Sequence, residues 1–280
     1  MPSGTPRTLL LVALLAQACP PAEQPVAPPP ALPTAPAPIS DAGTAPAPVV
    51  QAPLDAGSSI EDAAPAPRSG RPTEQQLLDV GARRPAVVFP PPAWGKLPLT
   101  VMLHGMCAIP EWECPVFRAG AAHSSWLLCP PGPAACNGGG AMWSGLPTRL
   151  AEAIDTATST LSSQQPEVDV TRKVLIGYSL GATAALGIIT ARPGEWLALM
   201  LVNASLEPSP AVIQKSGVRR VALVAGEHDG SRGTLRGAAA QLSSAGIRAR
   251  FFELAATGHY FDATSEQRMA EPVTWLLEGI

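Results

Sequence analysis

The chain has 280 residues, 15% of them charged and 46% apolar, with a formal net charge of −3. With no concentrated basic stretch it cannot follow a phosphate backbone, which excludes an electrostatic nucleic-acid binder. Fifteen of its 33 prolines fall between Pro20 and Pro72, where each removes a backbone donor and pins φ, so that stretch is neither helix nor internal strand. The 208 residues after Pro72 suffice for one domain with a large core.

The N-terminus reads as an export signal over residues 1–18. Arg7 supplies the positive charge, Leu9 to Ala16 form a short apolar run, and small residues follow at Ala16 and Ala18. Such a run is too short to span about 30 Å of hydrocarbon. Two processing routes cut after Ala18. Ala16-Gln17-Ala18 suits ordinary secretion of a soluble protein. Followed by Cys19, the same residues resemble a bacterial lipobox, in which Cys19 becomes the lipidated first residue and ties the protein to a membrane of the cell envelope. Ala16 stands where a lipobox usually carries leucine.

Residues 19–72 read as a disordered linker. Ala-Pro pairs recur at 35–38, 45–48 and 64–67, and Asp-Ala-Gly recurs at 41–43 and 55–57. With almost no large apolar side chains, the segment cannot offset its ordering entropy and serves as a semi-rigid spacer.

Apart from Cys19 there are four cysteines, Cys107, Cys114, Cys129 and Cys136, an even number that predicts two disulfides in an exported chain. Their separations of seven, fifteen and seven lack the short hooks of a zinc site, so no metal is expected. Three pairings are open. A local pairing, Cys107 with Cys114 and Cys129 with Cys136, closes two short loops worth roughly 2.5 kcal/mol each. A cross pairing of Cys107 with Cys129 follows if the two end neighbouring strands. In the local pairing, Cys136 lies away from the loop that follows the Leu97–Leu103 strand.

Residues 73–280 alternate between short apolar runs and helical patterns. The runs are Leu97–Leu103, Trp126–Cys129, Lys173–Ile176, Leu197–Val202, Arg220–Val224 and Arg250–Leu254, with an earlier one at Ala86–Phe89. Their near-continuous apolarity predicts strands buried on both faces. Helical patterns cover Pro147–Leu161, Leu180–Ala191, Gly233–Ala245 and Ser265–Leu277, with Pro147 near a start and Gly246 after an end. The alternation predicts an α/β fold, a mostly parallel sheet with helices on both faces and ligands beyond the carboxyl ends of the strands.

Gly177-Tyr178-Ser179-Leu180-Gly181 leaves one predicted strand and opens the next helix. This is G-x-S-x-G in strand–turn–helix context, where a sharp turn exposes a serine at a helix N-terminus and tolerates no Cβ two places either side. Two further strand ends carry Ala225-Gly226-Glu227-His228-Asp229 and Ala256-Thr257-Gly258-His259. In these motifs and their order the chain resembles the α/β-hydrolase superfamily, over essentially all of Leu97–Ile280. The resemblance implies Ser179 as nucleophile, His259 as base and Asp229 as the acid that orients it, a division of labour the chemistry itself requires. It also implies oxyanion donors from the amides of Leu180 and of Met106, the latter in the loop His104-Gly105-Met106-Cys107. No cofactor is expected.

Several neighbours compete for roles. Glu227 and His228 read as solvated turn residues, Asp262 as surface, and Asn203 cannot replace a carboxylate where some relatives carry their acid. Glu207 follows the same strand. His104 reads as a structural histidine under its loop, and His123 as solvated. Trp143, in the glycine-rich stretch from Cys129 to Gly145, is expected either as an aromatic substrate contact or as a core tryptophan; Trp112 is similar. Only about sixteen residues separate Val202 from Val218, too few for a large lid.

Together these features predict a serine esterase acting through an acyl-serine intermediate on a small or extended ester, or on a polymer end. The general likeness is to dienelactone-hydrolase-like and polyhydroxyalkanoate-depolymerase-like members, although dienelactone hydrolases carry cysteine where Ser179 stands. The alternatives are a serine peptidase of prolyl-oligopeptidase type and an inactive binding module on the same fold.

Overall fold

The structure, a computed structural model, describes residues 70–280; the export signal, Cys19 and nearly all of the expected linker lie outside the described residues. In chain order the strands are β1 (Gln76–Leu78), β2 (Ala86–Phe89), β3 (Leu97–Leu103), β4 (Trp126–Cys129), β5 (Ala134–Ala135), β6 (Ala141–Met142), β7 (Val168–Tyr178), β8 (Ala198–Val202), β9 (Arg220–Gly226) and β10 (Arg248–Leu254). The α-helices are α1 (Pro110–Glu113), α2 (Arg118–Ala121), α3 (Pro147–Gln164), α4 (Leu180–Ala191), α5 (Pro210–Ser216), α6 (Arg232–Ser244) and α7 (Ser265–Leu277), with a 3-10 turn at Cys114–Phe117.

Eight strands form one sheet in the order β1-β2-β4-β3-β7-β8-β9-β10, while β5 and β6 make a separate hairpin. From β4 to β10 every neighbouring pair is parallel; β1 and β2 join antiparallel at one edge. The predicted mostly parallel sheet is therefore present, and only α5 fills the segment between β8 and β9.

The period of two along the strands sorts the core into two layers. Leu99, Val101, Leu103, Leu175, Leu199 and Leu201 face one layer, which α3, α4 and α6 cover with Leu150, Ile154, Ile188 and Leu235. Met102, Val174, Ile176, Met200 and Val202 face the other, covered by Phe117, Ala121 and the Met269 and Val273 face of α7. Helices on both faces explain why these strands read as continuous apolar runs rather than alternating ones.

The chain leaves β3 to pair β4 on one side, then crosses back to pair β7 on the other. The carboxyl ends of β3 and β7 thus flank a topological switch point, where open α/β sheets form their ligand crevice. Leu103 pairs with Gly177, which sets the His104–Cys107 loop beside Ser179.

The two disulfides are Cys107–Cys136 and Cys114–Cys129, so neither the local pairing nor the Cys107–Cys129 pairing forms. The β5–β6 hairpin causes this. It folds back over the loop after β3, with Ala141 N–H donating to Ala108 C=O at 2.9 Å, and so carries Cys136 to Cys107. The expectation that Cys136 lies away from this loop is thereby overturned. Cys114 meets Cys129 inside the second core layer, where both are fully buried. Both bridges belong to an oxidising compartment such as the periplasm or the extracellular space. Among the described residues no helix is long and apolar enough to cross a membrane.

Candidate active site

Ser179 stands between β7 and α4 with φ 52° and ψ −116°, a conformation rare for a side chain bearing a Cβ. The flanking glycines make the turn possible. A Cβ on Gly177 would sit 2.4 Å from Gly181 O, and one on Gly181 would sit 2.1 Å from Leu103 O. Among the described residues, the non-glycine positions with positive φ are Cys107, Ser179, Asn203 and Ala256. All four follow the carboxyl end of a sheet strand on this rim, consistent with backbone strain concentrating at a functional site.

The structure brings the three side chains picked from the motifs into one line. Ser179 Oγ lies 3.1 Å from His259 Nε2, and His259 Nδ1 lies 2.6 Å from Asp229 Oδ2. Asp229 is buried, whereas the His259 ring is partly open to solvent. Burial pushes the Asp229 carboxyl upward, but hydrogen bonds from the Ser231 hydroxyl and amide, and from His259, outweigh it and hold the group below its ordinary range. Asp229 therefore stays ionised, able to fix the imidazole with Nδ1–H toward it and Nε2 toward the serine.

These groups open into a hollow of about 480 Å³ that Met106, Leu180, Ala204, Leu206 and His228 also line. Met106 and Leu180, whose amides are the expected oxyanion donors, line the same hollow as Ser179. Trp143 does not. It is 3% exposed and packs on the His104 ring at 5.5 Å, so its expected place as a substrate contact is corrected to a core position under the loop. A second hollow, of about 340 Å³ between residues 80–84 and 131–135, contains none of these side chains.

The rivals separate cleanly. His228 and His123 are exposed. Asp262 accepts from the Thr264 amide just before α7 and pairs with Arg268. Glu227 accepts from the Ala256 amide at 2.8 Å, so it braces the loop that carries His259. His104 is fully buried; Gly132 N–H donates to its Nε2 at 2.9 Å, which leaves Nδ1–H to donate to Gly105 C=O at 2.8 Å. Burial lowers its pKa to about 4, so it stays neutral beneath the loop.

Three supports escaped the sequence reading. Asn203, weighed there only as an acid, donates from Nδ2 to His259 C=O at 2.8 Å and Gly258 C=O at 3.2 Å, while its Oδ1 accepts from Gly226 N–H. Tyr178 O–H donates to the same His259 carbonyl at 2.7 Å. Ser231 binds Asp229 Oδ1 through its amide at 2.7 Å and through its hydroxyl. Only Ser231 left a local trace, an Asp followed two places later by Ser, as in turns closed by a side-chain carboxylate.

No protein-family model matches the sequence, and the search of curated proteins returns no match. Solved structures do resemble it. Esterase PE8 is 19% identical with a TM-score of 0.53, over 68% of this chain and 97% of that one. An S-formylglutathione hydrolase from Agrobacterium tumefaciens is 15% identical with a TM-score of 0.52, over 69% and 89%. A structure described as a ferulic acid esterase is 16% identical with a TM-score of 0.51, over 73% and 96%. With the sheet order and the strand–turn–helix at Ser179, these likenesses establish the fold, that of the α/β-hydrolases.

Proposed function

We propose that this protein is a serine hydrolase that cleaves a carboxylic ester through an acyl-serine intermediate. The observation that carries the reading is the unbroken hydrogen-bonded line from Asp229 through His259 to Ser179 at a strained turn. Ser179 Oγ attacks the ester carbonyl as His259 Nε2 takes its proton, and Asp229 stabilises the imidazolium that forms. The amides of Met106 and Leu180 hold the oxyanion of the tetrahedral intermediate. The same imidazolium protonates the departing alcohol, and water then repeats the sequence on the acyl-serine. Among the described residues only the short α5 stands between β8 and β9, which favours a small or extended acyl ester, or a polymer end, reached directly from solvent.

A fluorophosphonate probe is expected to label Ser179 in the wild-type protein, and p-nitrophenyl esters to be hydrolysed where aminoacyl-anilides are not. Absence of labelling returns the chain to the binding-module alternative, and a preference for anilides to the peptidase one.

The proposal extends to residues outside the described structure. Residues 1–18 direct export, Cys19 carries a lipid, and the proline-rich segment up to residue 72 spaces the domain from the membrane. Cys19→Ala is then expected to move the protein from the membrane to the soluble exported fraction with unchanged specific activity. Membrane retention of that variant defeats the anchor and leaves ordinary secretion.

A further inference from the structure

Glu113, the last residue of α1, is a carboxyl group that the proposed reaction does not use, yet it lies against the loop that reaction depends on. Its Oε2 accepts from Gly105 N–H at 2.8 Å. This bond closes the loop from Gly105 to Glu113 on itself, with Met106 and the bridged Cys107 inside it. The approach is tight at Gly105: a Cβ there would stand 3.0 Å from the Tyr178 ring and 3.3 Å from Glu113 Oε1. The other polar atom of Gly105, its carbonyl, accepts from His104. That carbonyl belongs to the same planar peptide as the Met106 amide. In a trans peptide C=O and N–H point in opposite directions, so anchoring one aims the other.

We propose that Glu113 is a positioning residue for the oxyanion loop, its carboxylate holding the Gly105 amide so that the Met106 N–H faces Ser179. The inference rests on the ester-hydrolase reading above. Removing the carboxylate frees the Gly105 amide inside a partly buried loop and leaves the peptide that carries the Met106 N–H held from its carbonyl side alone, so that donor is less firmly aimed. The ionised group holds the amide more strongly than the neutral acid, because charge-assisted hydrogen bonds are roughly twice as strong as neutral ones.

Burial raises the Glu113 pKa to about 7, with the Gly105 amide and His259 acting in the opposite direction. The titratable groups acting on it are His259, in the loop after β10, and Tyr178, at the end of β7. Glu111 on the same helix is paired with Arg84. As pH rises through about 7, Glu113 ionises and the loop is held more firmly, so this group raises activity across that range.

The test compares the kinetics of Glu113→Ala, Glu113→Gln and wild type on p-nitrophenyl butyrate, with fluorophosphonate labelling of Ser179 and a thermal melt run on separate samples of each protein. Glu113→Ala is expected to lower kcat by about 10²-fold, the lower end for loss of an oxyanion donor, with KM changed by less than about threefold. Glu113→Gln keeps an acceptor for Gly105 N–H and is expected to recover kcat at pH 8 to within about tenfold. Its ratio of kcat at pH 8 to kcat at pH 6 falls several-fold below the wild-type ratio. A folded Glu113→Ala protein with wild-type kcat, or a loss confined to KM, overturns the proposal. If Glu113→Ala does not fold, a Glu113→Gln ratio equal to wild type overturns it instead. Wild-type protein that neither labels nor turns over defeats the hydrolase reading and this proposal with it, whereas labelling with an unaffected Glu113→Ala defeats this proposal alone.

Discussion

Ser179→Ala and His259→Ala are each expected to lower kcat by roughly 10⁶, and the double variant to lose hardly more. The reason is the single line of contacts that joins them: Oγ to Nε2 at 3.1 Å, Nδ1 to Oδ2 at 2.6 Å. A hydroxyl without its base is a poor nucleophile, and a base without its hydroxyl has nothing to activate, so removing either part removes the whole device. Asp229→Asn is expected to cost on the order of 10⁴, because an amide facing Nδ1 favours the wrong tautomer while leaving the packing intact. Residual activity in every case reflects the hollow and its amides. The measurement is steady-state kinetics on a p-nitrophenyl ester with the melting temperature of each variant recorded. Losses below tenfold for both Ser179→Ala and His259→Ala would remove the hydrolase reading.

Cys107→Ser and Cys136→Ser are expected to behave alike, because the two residues form one bridge. Cys107 takes φ 53°, a strained choice for a residue with a Cβ, in the turn directly after Met106. Around it the hairpin presses so closely that a Cβ on Gly140 would lie 2.0 Å from Cys107 O. On the proposal that Met106 N–H receives the oxyanion, cutting the bridge loosens that donor. Complete loss of one donor costs about 10²–10³ in kcat, so each variant should lose up to about 10², with a smaller change in KM. Cys114→Ser cuts the other bridge, which spans 15 residues in the second core layer. Its expected effect is about 3 kcal/mol of stability, or roughly 6–12 °C in Tm, with kcat little changed. Free-thiol counting by mass checks the premise, since four alkylatable cysteines in unreduced exported protein would end it. A fall in kcat for Cys107→Ser but not for Cys136→Ser would show that the side chain at position 107 matters rather than the bridge.

The elements legible in the sequence are those whose physical cause is local. Leu97–Leu103 and Trp126–Cys129 are strands, and Leu180–Ala191 and Ser265–Leu277 are helices, with the bounds that apolar period and terminal residues indicate. β7 begins at Val168, five residues earlier than its apolar run, because Val168 and Asp169 pair with the start of β3 across a register shift. That beginning, Val-Asp-Val-Thr-Arg, alternates apolar with polar residues and so falls outside the continuous apolar run. α1, α2 and α5 span a turn or two, too short for a helical period to show, and exist because the loops they sit in pack onto the sheet.

The same division runs through the candidate site. Ser179, Asp229 and His259 were legible because the crowded turn at Ser179 demands small neighbours and because each residue follows a readable strand. Tertiary structure alone decided the rest. Trp143 reads equally well as a pocket wall or a core side chain, and only the packing of the glycine-rich loop over His104 turns it inward. The pairing of four evenly counted cysteines depends on where the β5–β6 hairpin folds back, which no spacing encodes. Asn203 and Glu113 act through hydrogen bonds to His259 and Gly105, backbone groups carried by other strand ends or the far side of a loop. A backbone acceptor or donor has no residue identity to leave in a motif. Local periodicity and steric demand can be read along a chain, but contacts between strand ends exist only once the sheet has assembled and brought those ends to one rim.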